Sequence, residues 1–119
     1  MTADSAAARR AASLERRTLC VDIDRTIYVG DQPLDYENGS AVPGAVDALR
    51  KLRDDGWTIV LYTARHFNHW EVTRRWLDHA GICYDQIVFG KPPATYYIDD
   101  RAIAFRGSWD EVLSEIDRG

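Results

Sequence analysis

Only two cysteines, Cys20 and Cys83, occur in the 119 residues. Their spacing matches no zinc-binding pattern, and two thiols make no disulfide framework. Reduced thiols in a cytoplasmic protein are the expectation. No apolar run approaches the roughly 20 residues that cross a bilayer. The segment from Met1 to Arg17 lacks the apolar stretch of a secretory signal. An excess of positive charge is missing too: the net charge is -4 and the pI about 5.3. That balance offers no basic track for nucleic acid and no attraction to an anionic membrane. An acidic substrate would therefore need a local cationic site or a bound metal. No internal repeat is present, and nothing is of low complexity beyond the alanine-rich start. What remains is ordinary globular composition, 45% hydrophobic and 29% charged, on a chain long enough for one compact domain. We assign residues 1–16, rich in Ala and Arg, to an N-terminal extension with some helix propensity. Its cluster Arg9, Arg10, Arg16 and Arg17 reads as a solvated tail. Residues 17–119 form the folded domain.

The apolar pattern predicts alternating strands and helices. Thr18 to Asp24 is a short apolar run ending in carboxylates, the pattern of a buried strand. Turn residues crowd the stretch from Ile27 to Ser40 (Gly30, Asp31, Pro33, Asn38, Gly39), which predicts a loop or short hairpin. A helix starts near Pro43, carries Val46, Leu49 and Leu52 on one face, and ends at Gly56. Trp57 to Thr63 is a second strand. Asn68 with Glu71 predicts a helix cap, and the helix presents Trp70, Thr73, Trp76, Leu77 and Ala80 before Gly81 stops it. Asp85 to Phe89 is a third strand, Thr95 to Ile98 a fourth that ends at Asp99-Asp100, and Ile103 to Phe105 a short fifth. Ser108 and Glu111 form a capping box for a last helix with Trp109, Val112, Leu113 and Ile116 inward. The four tryptophans are all assigned to packing. The order argues for an α/β domain, Rossmann-like and three-layered, with a mostly parallel central sheet.

Ligands of such folds bind beyond the carboxyl ends of the strands. Asp22, Asp24, Thr63 and Asp99 all lie there. Asp22 and Asp24 are two apart on a strand, so they share a face. Two carboxylates that close repel each other and need compensation. Oxygen ligands in such numbers suit a hard divalent cation, which would also attract a phosphate. A carboxylate can attack phosphorus, and the charge that spreads over the phosphoryl oxygens then calls for donors and cations around it. Thr63 can donate a hydroxyl, Lys91 a fixed positive charge, and Arg65 a guanidinium within reach of a substrate oxygen.

Each residue also has a bland reading. A lone threonine at a strand end or a lone lysine after one is ordinary, Asp100 reads equally as a solvated loop residue, and Arg65 equally as a surface ion pair. His66 and His69 read as surface or half-buried histidines. The order of the residues along the chain is what promotes the group.

Asp22-Ile23-Asp24-Arg25-Thr26 resembles the D-x-D-x-T signature of the haloacid dehalogenase superfamily. Thr63 at its strand end matches the second family motif, Lys91 in Phe-Gly-Lys-Pro-Pro the third, and Asp99-Asp100 after Tyr-Tyr-Ile the fourth. The match runs from about Leu19 to Ile103. The wording around these residues is similar to small phosphatases of capsule and surface-polysaccharide biosynthesis. This resemblance implies a Mg²⁺-dependent phosphomonoesterase working through an aspartyl-phosphate. Asp22 would be the nucleophile and a metal ligand, and Asp24 the general acid and base whose backbone carbonyl also binds the metal. Thr63 would hold the phosphoryl group, Lys91 would orient Asp22, and Asp99 and Asp100 would complete the Mg²⁺ site. Thr63, Ala64, Arg65, Arg25 and Lys91 would line the substrate side. One departure stands out: the family often has glycine where this chain has Arg25, which puts the turn geometry and the substrate preference in question.

The gaps between motifs leave no room for an inserted cap domain. An open site accepts a bulky substrate or borrows a wall from another subunit, so a homo-oligomer is one expectation. The loop from Ile27 to Ser40, with Tyr28 and Tyr36, is the expected local lid. A small-molecule phosphate ester, a sugar phosphate or related metabolite, is the leading substrate class. Nucleotides or nucleic-acid ends come second, since Thr73 to Leu77 is similar to the phosphatase half of polynucleotide kinases. A non-catalytic module of the same fold is the third reading, and protein phosphatase activity also stays open.

Overall fold

The computed structural model describes residues 17–119. The expectations for the extension 1–16, with Arg9, Arg10 and Arg16, lie outside the described residues; Arg17 is exposed, and its carbonyl accepts the Thr58 amide at 2.8 Å.

Three parallel strands form the sheet, in the order β1 (Thr18–Val21), β4 (Thr58–Thr63), β5 (Gln86–Phe89). Thr18 pairs with Thr58 and Val21 with Leu61, while Val60 pairs with Gln86 and Thr63 with Phe89. Because all three run the same way, Val21, Thr63 and Phe89 end at one edge. Between β1 and β4 lie a two-stranded ribbon, β2 (Tyr28–Val29) with β3 (Ser40–Ala41), and helix α1 (Ala45–Asp54). Helix α2 (Trp70–Ala80) joins β4 to β5, and α3 (Trp109–Arg118) ends the chain. Strands alternating with helices on a parallel sheet make this a Rossmann-like α/β domain. No helix among the described residues is long and apolar enough to cross a membrane.

The core follows the predicted faces. Ile59 and Leu61 of β4, Leu49 of α1, Leu77 of α2, and Ile23 and Ile27 beyond β1 have no solvent contact. Alternate β4 residues are fully enclosed, as a period of two requires. Gly81 ends α2 at φ 80°, a conformation that costs a side chain bearing a Cβ but not glycine. Ser108 Oγ accepts from the Glu111 amide at 3.3 Å, the Ser108 half of the expected capping box of α3.

Four expectations need correction. First, β1 stops at Val21. The Ile23 carbonyl accepts the amides of Thr26, Ile27 and Tyr28 at 3.2, 2.8 and 2.9 Å, which closes a turn over Arg25–Ile27 just after Asp24. Second, Asn68 is not the cap. His66 Nδ1 accepts from the Asn68 amide at 3.1 Å and starts a single tight turn, Phe67–His69, ahead of α2. Third, Trp70 does not face the core; it is exposed, with the Arg74 guanidinium 5.7 Å from its ring. Fourth, neither Thr95–Ile98 nor Ile103–Phe105 forms a strand. A strand exists only where a neighbour takes its amides and carbonyls, and this segment runs outward from β5. The Tyr97 hydroxyl donates to the Pro92 carbonyl at 2.6 Å.

Leu61→Ala removes a fully enclosed side chain from the central strand. It should cost about 2–5 kcal/mol, read as a lower denaturation midpoint in urea with an unchanged slope.

Candidate active site

Asp22 and Lys91 meet because β4 ties the two flanking strand ends together. The amides of Gly90 and Lys91 both donate to the Thr63 carbonyl, at 3.2 and 3.1 Å. Gly90 makes the turn at φ 115°, where a side chain would be strained. Lys91 thereby swings back over the sheet, and its Nζ lies 3.5 Å from Asp22 Oδ2. The lysine side chain is largely covered and the aspartate about one third exposed, so the charge pair sits at the surface end of the core. The Lys91 ammonium also lies 4.2 Å from the centre of the Tyr97 ring.

Asp24 is held by Arg65. Arg65 Nη2 donates to Oδ1 at 2.7 Å and Nε to Oδ2 at 3.0 Å, a two-point fork. The third nitrogen, Nη1, donates to Thr73 Oγ1 on α2 at 3.0 Å. The guanidinium stacks 3.8 Å from the Tyr36 ring centre and 4.9 Å from that of Tyr28. The Arg65 side chain is only 1% exposed. Its expected reach toward a substrate oxygen is therefore corrected: all three nitrogens are bound within the protein. Thr63 has no solvent contact, and its Oγ1 accepts the Arg65 amide at 3.0 Å. A hydroxyl that accepts can still donate its own proton. Ala64 is exposed between them.

Arg25 occupies the left-handed region at φ 64°, where the family often has glycine. Its amide donates to the Tyr28 carbonyl at 2.7 Å, so the turn closes without glycine. Its exposed side chain borders an open cavity of about 300 Å³, lined also by Asp24, Tyr28, Asp31 and Tyr36. The loop expected as a lid is fastened. Tyr28 is buried, and its hydroxyl donates to the Asp35 carbonyl at 2.5 Å and accepts the Gly39 amide at 2.8 Å. The Trp76 indole donates to the Gly39 carbonyl at 3.0 Å. A Cβ on Gly39 would come within 2.3 Å of the Tyr28 ring, so only glycine fits. His69 packs edge-on to Tyr36 at 5.0 Å, and His66 is exposed at its cap.

The expected fourth motif does not join this site within one chain. Asp99 and Asp100 are exposed on the segment that follows Lys91. Asp99 Oδ1 accepts the Arg101 amide at 2.8 Å. That bond, with a second from Asp100, holds the Asp99 carboxyl below its ordinary range. Among the described residues no three His, Cys, Asp or Glu side chains gather closely enough to hold a metal ion. The single chain thus offers Asp22 and Asp24 but not the four-carboxylate set, and a Mg²⁺ site of the expected composition does not fit it.

Sequence reasoning missed Tyr28, Tyr36 and Thr73 as supports of Arg65. The traces were Thr73 on the buried face of α2 and the two tyrosines in the expected lid, because contacts over such separations leave no local pattern.

Removing Asp24 leaves the Arg65 charge enclosed without its partner. Breaking a fully buried pair costs about 3–5 kcal/mol, and Asp24 is partly solvated, so Asp24→Ala should cost about 2–3 kcal/mol. Asp22→Asn should leave stability within about 0.5–1 kcal/mol of the parent in the same denaturation experiment.

No family model matches the chain. A protein of Chlorobaculum tepidum named "Putative 5'(3')-deoxyribonucleotidase" is 36% identical over 55% of this chain. The chain spans 37% of that relative's length. A crystal structure of a structural-genomics target from Vibrio cholerae superposes with a TM-score of 0.70 at 30% identity, covering 86% of this chain and 94% of that one. A chain in the structure of a Pnkp1/Rnl/Hen1 complex gives a TM-score of 0.55 at 20% identity, over 71% of this chain and 31% of that one, a likeness of fold alone. With the D-x-D-x-T turn at the end of β1, Thr63 at the end of β4 and Lys91 returning from β5, the chain belongs to the haloacid dehalogenase superfamily.

Proposed function

We propose that the chain hydrolyses phosphomonoesters, with Asp22 as the nucleophile. The observation that carries this reading is the Asp22 carboxylate beside the Lys91 ammonium at 3.5 Å, at the strand edge where Thr63 also ends. Lys91 keeps the carboxylate in place and offsets charge on the phosphoryl oxygens, while the enclosed Thr63 supports the strand end beneath them. An Asp22 oxygen attacks phosphorus, the bond to the leaving oxygen breaks, and that oxygen takes a proton from Asp24. Asp24 then takes a proton from water, which attacks the acyl phosphate and releases phosphate and Asp22. The Arg65 fork fixes the plane of the Asp24 carboxyl group. Each carboxyl oxygen retains a second lone-pair site, so the group can exchange a proton while held.

Mg²⁺, the family's activating ion, would lower charge repulsion around the phosphate only with further carboxylates beside Asp22 and Asp24, which one chain does not bring together. The steps above use only groups that one chain brings together.

A small phosphate ester in a cytoplasmic setting is the substrate class we favour, with a sugar phosphate or related metabolite as the first reading. A nucleoside monophosphate is the second. The name of the Chlorobaculum relative supports it, as does an aromatic face near Lys91. Phe67 is 64% exposed and packs edge-on to Phe89 at the end of β5, with ring centres 5.5 Å apart. Exposed rings of this kind stack on a base at about 1–3 kcal/mol per contact.

Phosphate release should be measured on a panel of sugar phosphates, nucleotides and phosphopeptides, with Mg²⁺ and with EDTA. Asp22→Asn should lose at least ~10²-fold in kcat, and Lys91→Ala about 10–10²-fold. Phe67→Ala should raise KM for nucleotides alone if the base stacks there. Turnover that survives both EDTA and Asp22→Asn would end the proposal, and silence across the panel would favour a binding module.

A further inference from the structure

The segment after Lys91 leaves the body of the protein. Tyr96 is 82% exposed and Ile98 is 99% exposed, and Tyr97 and Ile103 are also uncovered. The chain rejoins the core only at Phe105, which packs against buried Trp109 with ring centres 5.5 Å apart. This is an apolar arm anchored at both ends, from Lys91 to Phe105, and its middle reads in sequence as a strand. Large apolar side chains in this number do not stay in water without a purpose.

Among the described residues, the sheet has an edge of matching kind. β1 has β4 on one side and no described strand on the other, although it is the strand that leads into Asp22. An open edge of a parallel sheet presents amides and carbonyls ready to receive another strand. The arm of the same chain is held away from that edge. It starts from β5, which lies on the far side of β4, and Tyr97 is fastened there by the Pro92 carbonyl and by its stacking against Lys91. The active site has the complementary deficiency: Asp22 and Asp24 stand without a third carboxylate, while Asp99 and Asp100 sit on the arm, exposed.

We propose that two copies of the chain exchange arms. Thr95 to Ile98 of each copy adds as a parallel strand to the open edge of β1 in the other, and carries Asp99 and Asp100 to the partner's Asp22. Reciprocal exchange is closed by a two-fold axis, so it ends at a dimer. Each site is then built from two chains, and the carboxylate set absent from one chain is completed by the second. The assembly is independent of the reaction, whereas the completion of the catalytic site rests on the phosphatase reading.

The first test is physical. Light scattering after size exclusion should give the full-length protein twice the mass of a 13.5 kDa chain. Ile98→Pro, which removes a ladder donor from an exposed residue, should give a folded monomer with an unchanged near-ultraviolet spectrum. Single cysteines at Thr95, Tyr96 and Tyr97 in turn, in a Cys83→Ser background, should trap a disulfide to exposed Cys20 that joins two chains in at least one variant. A monomeric parent protein, or a disulfide only within one chain, overturns the exchange whatever the activity. The second test mixes Asp22→Asn with Asp99→Asn after joint unfolding and refolding. Random pairing makes half the dimers mixed, each with one intact site, so activity should return to about a quarter of the parent value. A cross-linked dimer whose mixture stays as inactive as the separate variants, beside an active parent, would overturn the shared site. A dimer with no turnover in the parent would instead count against the phosphatase reading and leave the exchange standing.

Discussion

A guanidinium with almost no access to water must have its charge and its donors answered by the protein, because the cost of burying them unpaired runs to several kcal/mol. Arg65 is answered from four directions. Asp24 comes from the turn after β1, Thr73 from α2, the Thr63 hydroxyl receives the Arg65 backbone amide, and Tyr36 and Tyr28 cover the cation from the ribbon side. The carboxylate at the second position of the D-x-D turn is therefore not a free side chain at a strand end. It is set by a cation that is itself immobilised by the helix and the ribbon. Tyr28 continues the chain of supports, since its hydroxyl fastens Gly39 and Asp35 and so closes the loop beside the cavity.

Lys91 works on the other carboxylate with a different device. Two backbone amides bonded to the Thr63 carbonyl position it by bending the chain after β5 toward β1, and the Tyr97 ring lies against its ammonium. Asp22 and Asp24 thus receive cations of different character. One is a compact ammonium near solvent, suited to meet a charged phosphate. The other is a planar guanidinium sealed in the core, suited to hold an orientation. Two like charges two residues apart in the chain become tolerable through this division.

Much of this was legible in the chain itself. The short apolar runs starting at Thr18, Trp57 and Asp85 give the three strands, the first shorter than its run, and Gly81 and Ser108 mark helix ends that form as expected. These signals are local, so one stretch of residues contains them. The direction of Arg65 was not legible. Position two after a strand end allows either an outward or an inward side chain, and Thr73 and Tyr36, which decide it, lie 8 and 29 residues away. The start of α2 was misplaced because Asn68 and His66 compete for the same role within one turn, and the imidazole takes it. The residues Tyr96 to Ile98 read as a strand, yet strand formation depends on a neighbour that no local pattern supplies. They stand exposed on the segment that leaves β5, two strands away from β1.

The central claim is that a covalent bond forms between Asp22 and phosphorus. The most direct measurement is to quench the protein in acid during turnover of its best phosphate ester and locate any phosphoryl adduct by peptide mass spectrometry. An adduct is expected on the peptide holding Asp22, removed by hydroxylamine as an acyl phosphate is, and absent from Asp22→Asn. Steady turnover with an adduct on a histidine or on Asp24, and none on Asp22, would contradict it.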